Sequence, residues 1–89
     1  MMWYVYILAS QKCKKYIYVG FTNSIERRLS EHNARNSRLA TGPYQPLELI
    51  SYVAVCKEKK ARELEKYFKG GSGKAFLKKR ILPNEVHLC

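Results

Sequence analysis

Aspartate is absent from this 89-residue chain, whose acids are seven glutamates set against seventeen lysines and arginines. So few carboxylates count against a site that gathers several acids around paired metal ions. Long hydrophobic runs are missing too. None approaches the ~18 residues of a membrane span. The opening Met1-Met2-Trp3-Tyr4 has no basic stretch ahead of its apolar run, so it does not read as a signal peptide. Three scattered cysteines, Cys13, Cys56 and Cys89, form no CxxC pair and have no histidine at zinc spacing. That supports neither a disulfide framework nor a zinc site, and free thiols fit a reducing cytoplasm. No internal repeat, low-complexity segment, zinc finger or helix-turn-helix module is visible.

What is present is positive charge. The formal net charge of +10 exceeds the magnitude of roughly 2–8 that solubility alone makes useful. A surface this basic attracts polyanions, nucleic acid first among them. The length suits one domain with one modest core. We assign residues 1–82 to that domain and 83–89 to a short C-terminal tail, in which His87 receives no role.

Residues 3–8 and 16–19 are aromatic and β-branched runs joined by a polar connector of hairpin length, which predicts an antiparallel hairpin with Gly20 ending its second strand. Alternation places Tyr4 and Tyr6 on one face, and Tyr16 and Tyr18 together on one face of the partner strand. Asn23 followed three residues later by Glu26 resembles a capping box for a helix reaching Glu31 or Asn33. A polar loop with Gly42, Pro43 and Pro46 leads to a third strand over 47–55. A second helix spans 57–69, with a left-handed cap expected at Gly70-Gly71. Ser72 would cap a third helix through about Ile81, stopped before Pro83. The expected fold is α/β, in the order β-β-α-β-α-α: a three-stranded, mostly antiparallel sheet flanked by helices.

Three titratable residues interrupt the apolar helix faces. Arg28 and His32 share a stripe with Ile25 and Leu29, and Glu65 shares one with Ala61, Leu64 and Phe68. Desolvating such groups without partners costs several kcal/mol or more. They therefore either pair or line a cleft where chemistry occurs.

Tyr4-Val5-Tyr6 followed by Tyr18-Val19-Gly20 resembles the paired motif of the GIY-YIG endonuclease superfamily. Gly20-Phe21-Thr22, Arg28-Leu29 and Glu31-His32-Asn33 resemble the helix that follows. Ala61, Glu65 and Lys69 resemble its metal-binding helix, and Lys69-Gly70-Gly71-Ser72-Gly73 with Phe76 the C-terminal pattern of small stand-alone bacterial members. The resemblance implies a metal-dependent endonuclease hydrolysing DNA phosphodiesters, in repair or recombination, with Tyr6, Tyr18, Arg28, His32 and Glu65 as its catalytic residues.

The chemistry of these side chains agrees. Arg28 is a permanent cation whose planar fork suits phosphate oxygens. Glu65 is the candidate ligand of one Mg²⁺ or Mn²⁺ ion, since Mg²⁺ often takes one carboxylate and completes its shell with water and substrate phosphate. The resemblance assigns Tyr6 and Tyr18 jointly to activating water and to orienting water or phosphate, and neighbouring cations or a metal can favour the phenolate. His32 would accept a proton or bond the phosphate. Lys69, Lys74, Lys78 and Arg80, with Lys57, Lys59, Lys60 and Lys79, would track the DNA backbone.

Two positions depart from the family pattern: Phe21, where some members carry lysine, and Val53, where many small members carry glutamate. They keep open a non-cleaving nucleic-acid-binding module. A small basic ribonucleoprotein subunit is a third class. With little room for base readout, selectivity is expected for DNA shape, or targeting by a protein partner.

Overall fold

The first strand is apolar on both faces because it occupies the middle of the sheet. In the computed structural model, which describes residues 1–13 and 15–82, β1 (Trp3–Ser10) lies between β2 (Ile17–Thr22) and β3 (Leu47–Val55) and is antiparallel to both. A strand covered above and below reads as a continuous hydrophobic run rather than an alternating one. Val5 and Ile7 enter a core completed by Val19 of β2, by Ala61 and Phe68 of α2 (Glu58–Lys69), and by Leu77 of α3 (Gly71–Arg80). Tyr6 and Leu8 point the other way, into a core with Leu47, Tyr16, Tyr18, Tyr44 and the Ile25 and Leu29 side chains of α1 (Ile25–His32). Val5 and Leu8 are 0 % exposed and Ile7 is 1 % exposed. Burial of each is worth about 1.5–3 kcal/mol, so β1 anchors both layers.

The expected element order and three-stranded antiparallel sheet are both observed, and 47–55 forms a strand over the expected span. Several local expectations are corrected. Gly20 does not end β2. It pairs with Tyr6 inside the ladder, and the strand continues to Thr22. The cap of α1 is Ser24, whose hydroxyl accepts from the Arg27 N–H at 3.4 Å. Asn23 is diverted because its side-chain oxygen accepts from the Arg27 guanidinium at 3.1 Å.

No left-handed cap closes α2. Gly70 is extended, at φ −86° and ψ 174°, and no glycine among the described residues has positive φ. Gly70 ends α2 and opens α3 at once, so Ser72 lies inside the helix rather than capping it. The glycine requirement sits instead at the buried Gly73, where a Cβ would collide with the Tyr67 carbonyl. Absence of a side chain there lets α3 fold tightly against the end of α2. The assigned tail, with Pro83, Asn84 and His87, lies outside the described residues.

Candidate active site

Helix α1 docks on the sheet through Ile25 and Leu29, and the same stripe carries Arg28 and His32 over the tyrosines of β1 and β2. The stripe grades from buried to open. His32 is 1 % exposed, while the Arg28 side chain is 33 % exposed. Tyr6, 2 % exposed, rises from the central strand, and its hydroxyl lies 3.0 Å from His32 Nε2. The other ring nitrogen, Nδ1, lies 2.6 Å from the Thr41 hydroxyl. The Tyr18 ring packs 4.9 Å from the His32 ring and 6.2 Å from that of Tyr6. The helix end is held in place by Asn33, whose amide bonds both the carbonyl and the N–H of Leu47, at 2.8 and 2.7 Å.

The electrostatics follow from this packing. Burial pushes the Tyr6 phenol up to about 12; the facing Arg28 guanidinium opposes the rise, while Tyr18 and the Glu65 carboxylate add to it. At neutral pH Tyr6 is therefore a phenol with a hydrogen to donate. Burial, reinforced by the Arg28 charge, lowers the pKa of His32 and keeps its ring neutral. Arg28 is held charged first by Glu31, whose carboxylate it meets at 2.7 Å, and then by Tyr6. That same contact holds the Glu31 carboxyl below its ordinary value.

Glu65 approaches from α2, on the other layer of the domain. Its side chain is 19 % exposed and its carboxylate accepts from Lys69 Nζ at 3.3 Å. The same Lys69 nitrogen sits 5.8 Å from the centre of the Tyr18 ring. Lys69 thus connects the acid of α2 to the aromatic cluster, around the edge of the sheet that β2 forms. Glu65 pairs with Lys69, and Arg28 pairs with Glu31. Neither Arg28 nor Glu65 is a core residue; both stand at the margins of their apolar stripes.

Lys69 and Lys74 line a pocket of about 220 Å³ with Tyr18, Ile17, Val19, Phe68 and Leu77. Lys78 and Arg80 are exposed in the last turn of α3 and are not among its lining residues. Phe21 is part of the apolar packing under α2 and lines a surface pocket with Arg28 and Glu31. It packs on Trp3, 6.2 Å between rings, beneath the Arg62 guanidinium at 5.5 Å. The cations near the tyrosines are Arg28 and Lys69, so the family's lysine position is not the source of positive charge here. Val53 packs into the core under α2.

Among the described residues no group of three or more His, Cys, Asp or Glu side chains converges. A protein-only metal cage is therefore excluded within them. A hard cation bound through the single Glu65 carboxylate, with water and phosphate supplying its other oxygens, fits the donors present. Sequence reasoning missed Thr41, Gln45 and the true role of Gly20, because their contacts join segments far apart in the chain. Gln45 bonds the His32 and Ala34 carbonyls at 2.7 and 2.8 Å, and nothing in its local sequence signals this.

A three-stranded antiparallel sheet with helices on both faces, and a tyrosine–histidine–arginine cluster under one of them, define a class of small α/β domain. The family follows from comparison. The model of the GIY-YIG catalytic domain matches residues 2–80, and the chain belongs to the GIY-YIG family. Membership supports a nuclease function in general. No curated protein matches the chain, and no helix among the described residues is long and apolar enough to cross a membrane.

Proposed function

We propose that this protein is a divalent-metal-dependent endonuclease that hydrolyses DNA phosphodiester bonds, selecting its substrate by DNA structure, in repair or recombination. The observation that carries the proposal is the hydrogen bond between Tyr6 and the buried, neutral His32, 3.0 Å long, with Arg28 facing the same hydroxyl. A phenol held this way has an exit for its proton and a cation to favour the phenolate left behind.

Tyr6 passes its hydroxyl proton to His32 Nε2, and the phenolate oxygen takes a proton from water as that water attacks phosphorus. The new P–O bond forms as the bond to the 3′ oxygen breaks. Arg28 neutralises charge that grows on the phosphate oxygens. Tyr18, packed against His32, orients the water or the phosphate. Glu65 would hold a Mg²⁺ or Mn²⁺ ion, which would supply Lewis acidity at the phosphate and charge compensation for the departing oxygen. Lys69 and Lys74 meet the flanking backbone as point charges. Substrate choice would rest on DNA shape, such as flaps, branches or single strands, or on delivery by a protein partner.

A nicking assay with Mg²⁺, and with excess chelator, on wild type and Glu65→Ala tests the reading. Loss of cleavage with DNA binding retained in the variant is the expected result. Binding without cleavage by wild type, across intact, flapped and single-stranded DNA, would identify a non-cleaving module instead.

A further inference from the structure

We propose that Thr41 is a positioning residue for the reaction: its hydroxyl accepts the Nδ1–H of His32 and so holds the ring with Nε2 bare toward Tyr6. The inference rests on the nuclease reading above and assigns a role to a loop residue outside every motif of the chain.

The assignment starts from the hydrogen of the Tyr6 phenol. Arg28, the charged neighbour of Tyr6, has no acceptor atom and cannot take the phenol's hydrogen. The phenol's own hydrogen must then go elsewhere, and His32 Nε2 at 3.0 Å is the acceptor in place. A neutral imidazole carries one hydrogen. If Nε2 accepts, Nδ1 bears it, and the group facing Nδ1 at 2.6 Å is the Thr41 hydroxyl. Thr41 is 0 % exposed. With bulk water kept away, the ring tautomer is set by these two protein contacts. After proton transfer from Tyr6, the Nδ1–H still points at Thr41, so the same contact serves the imidazolium.

A purely mechanical purpose for the contact is weakened by its surroundings. Thr41 precedes the 3₁₀ turn Gly42–Tyr44, yet its side chain makes no capping bond to that turn. The loop is fastened by other groups: Asn33 to Leu47, Gln45 to the His32 carbonyl, the Ser10 hydroxyl to the Tyr44 carbonyl at 2.6 Å, and a Tyr16–Tyr44 ring stack at 3.8 Å. The Thr41 hydroxyl goes to the histidine.

The test is the imidazole ¹⁵N spectrum of the full chain at neutral pH, compared with His87→Ala so that the His32 signals are assigned, beside nicking kinetics of Thr41→Ser and Thr41→Val. Expected are a protonated Nδ1 and an unprotonated Nε2 in wild type, the same pattern in Thr41→Ser, and a mixed or inverted pattern in Thr41→Val. The valine variant should lose at least about tenfold in kcat, the lower range for removing a group that orients a functional histidine, with KM little changed, and serine should restore it. A wild-type ring protonated on Nε2 overturns the proposal, as does a folded Thr41→Val that cleaves like wild type. Should the ring carry its hydrogen on Nδ1 while wild type nicks no DNA, the nuclease reading fails, and the positioning role falls with it.

Discussion

The hydroxyl end of Tyr6 lies where a side chain at Gly20 would begin. The two residues face each other across the β1–β2 ladder, and a Cβ on Gly20 would sit 2.5 Å from the Tyr6 oxygen, 2.6 Å from Cζ and 3.0 Å from the Tyr18 ring. Gly20 does not have positive φ, so the requirement is space and not backbone conformation. Gly20→Ala is expected to push Tyr6 off His32 without preventing folding. Overpacking of this kind costs about 1–3 kcal/mol, and cleavage should fall by about 100-fold if proton transfer from Tyr6 is lost. Thermal melts and nicking rates measure both; an alanine variant with wild-type cleavage would show that the Tyr6 placement does not matter.

The same glycine shows how far the sequence could be read. Its position after a β-branched run suggested the end of a strand, yet a glycine opposite a tyrosine inside a ladder has the same local signature. The core, the strand order and the helix stripes were legible because periodicity is a property of neighbours in sequence. His32 stood out as a polar residue on an apolar stripe, and its partner Tyr6 could be reached through the motif. Thr41 could not be found, since a threonine in a polar loop looks like any other until the fold brings it to the ring. Lys69 reads in the sequence both as a backbone contact and as a partner for Glu65 across one helical turn, i to i+4, and the structure shows the pairing.

Removing the Tyr6 hydroxyl should expose how tightly it is coupled to His32. Tyr6→Phe leaves the buried Nε2 without its donor, a loss of about 1–3 kcal/mol. Against that background a His32→Phe change should cost less than it does in wild type, since the partner is already gone. Denaturant melts of both single variants and the double variant give the coupling. Strict additivity would mean that the 3.0 Å contact contributes nothing. In nicking assays each single variant should lose about 10²–10⁴-fold, the range for one acid–base group, and the double variant little more.

Lys69 and Lys74 flank the same pocket beside Tyr18. If both meet phosphates, each alanine substitution should weaken DNA binding to a similar degree on every sequence and reduce the slope of log K against log salt by about 1. Lys69→Ala should differ in one respect, because it also frees the Glu65 carboxylate from its 3.3 Å partner. Half-saturation by Mn²⁺ should then occur at lower concentration than in wild type, while Lys74→Ala leaves it unchanged. Fluorescence anisotropy across a salt series and Mn²⁺ titration of nicking read these effects. Unchanged salt slopes in both variants would remove the two lysines from the DNA path.

The pH dependence should have two limbs of opposite origin. His32 has its pKa lowered in the fold by burial and by Arg28, from an ordinary 6.5. Between that value and the folded one, the unfolded chain binds a proton that the folded chain refuses. Stability therefore falls as pH drops below about 6.5, and cleavage falls with it, because a protonated Nε2 cannot accept from Tyr6. Glu31, held below its ordinary 4.5 by Arg28, contributes a separate loss at lower pH that a His32→Phe variant would retain. On the alkaline side the sign of the shift reverses. Tyr6 is raised from 10.0 to about 12, so between those values the unfolded chain gives up a proton that the folded chain keeps, and stability falls as pH rises. Melting temperatures from pH 4 to 11 in wild type, Tyr6→Phe and His32→Phe separate the limbs. Tyr6→Phe should lose the alkaline limb beyond pH 10, and His32→Phe the one near neutrality. A wild-type stability that stays level from pH 7 to 5 would mean that His32 takes up its proton freely, which a ring enclosed by Tyr6, Tyr18 and Thr41 beside a permanent cation does not permit.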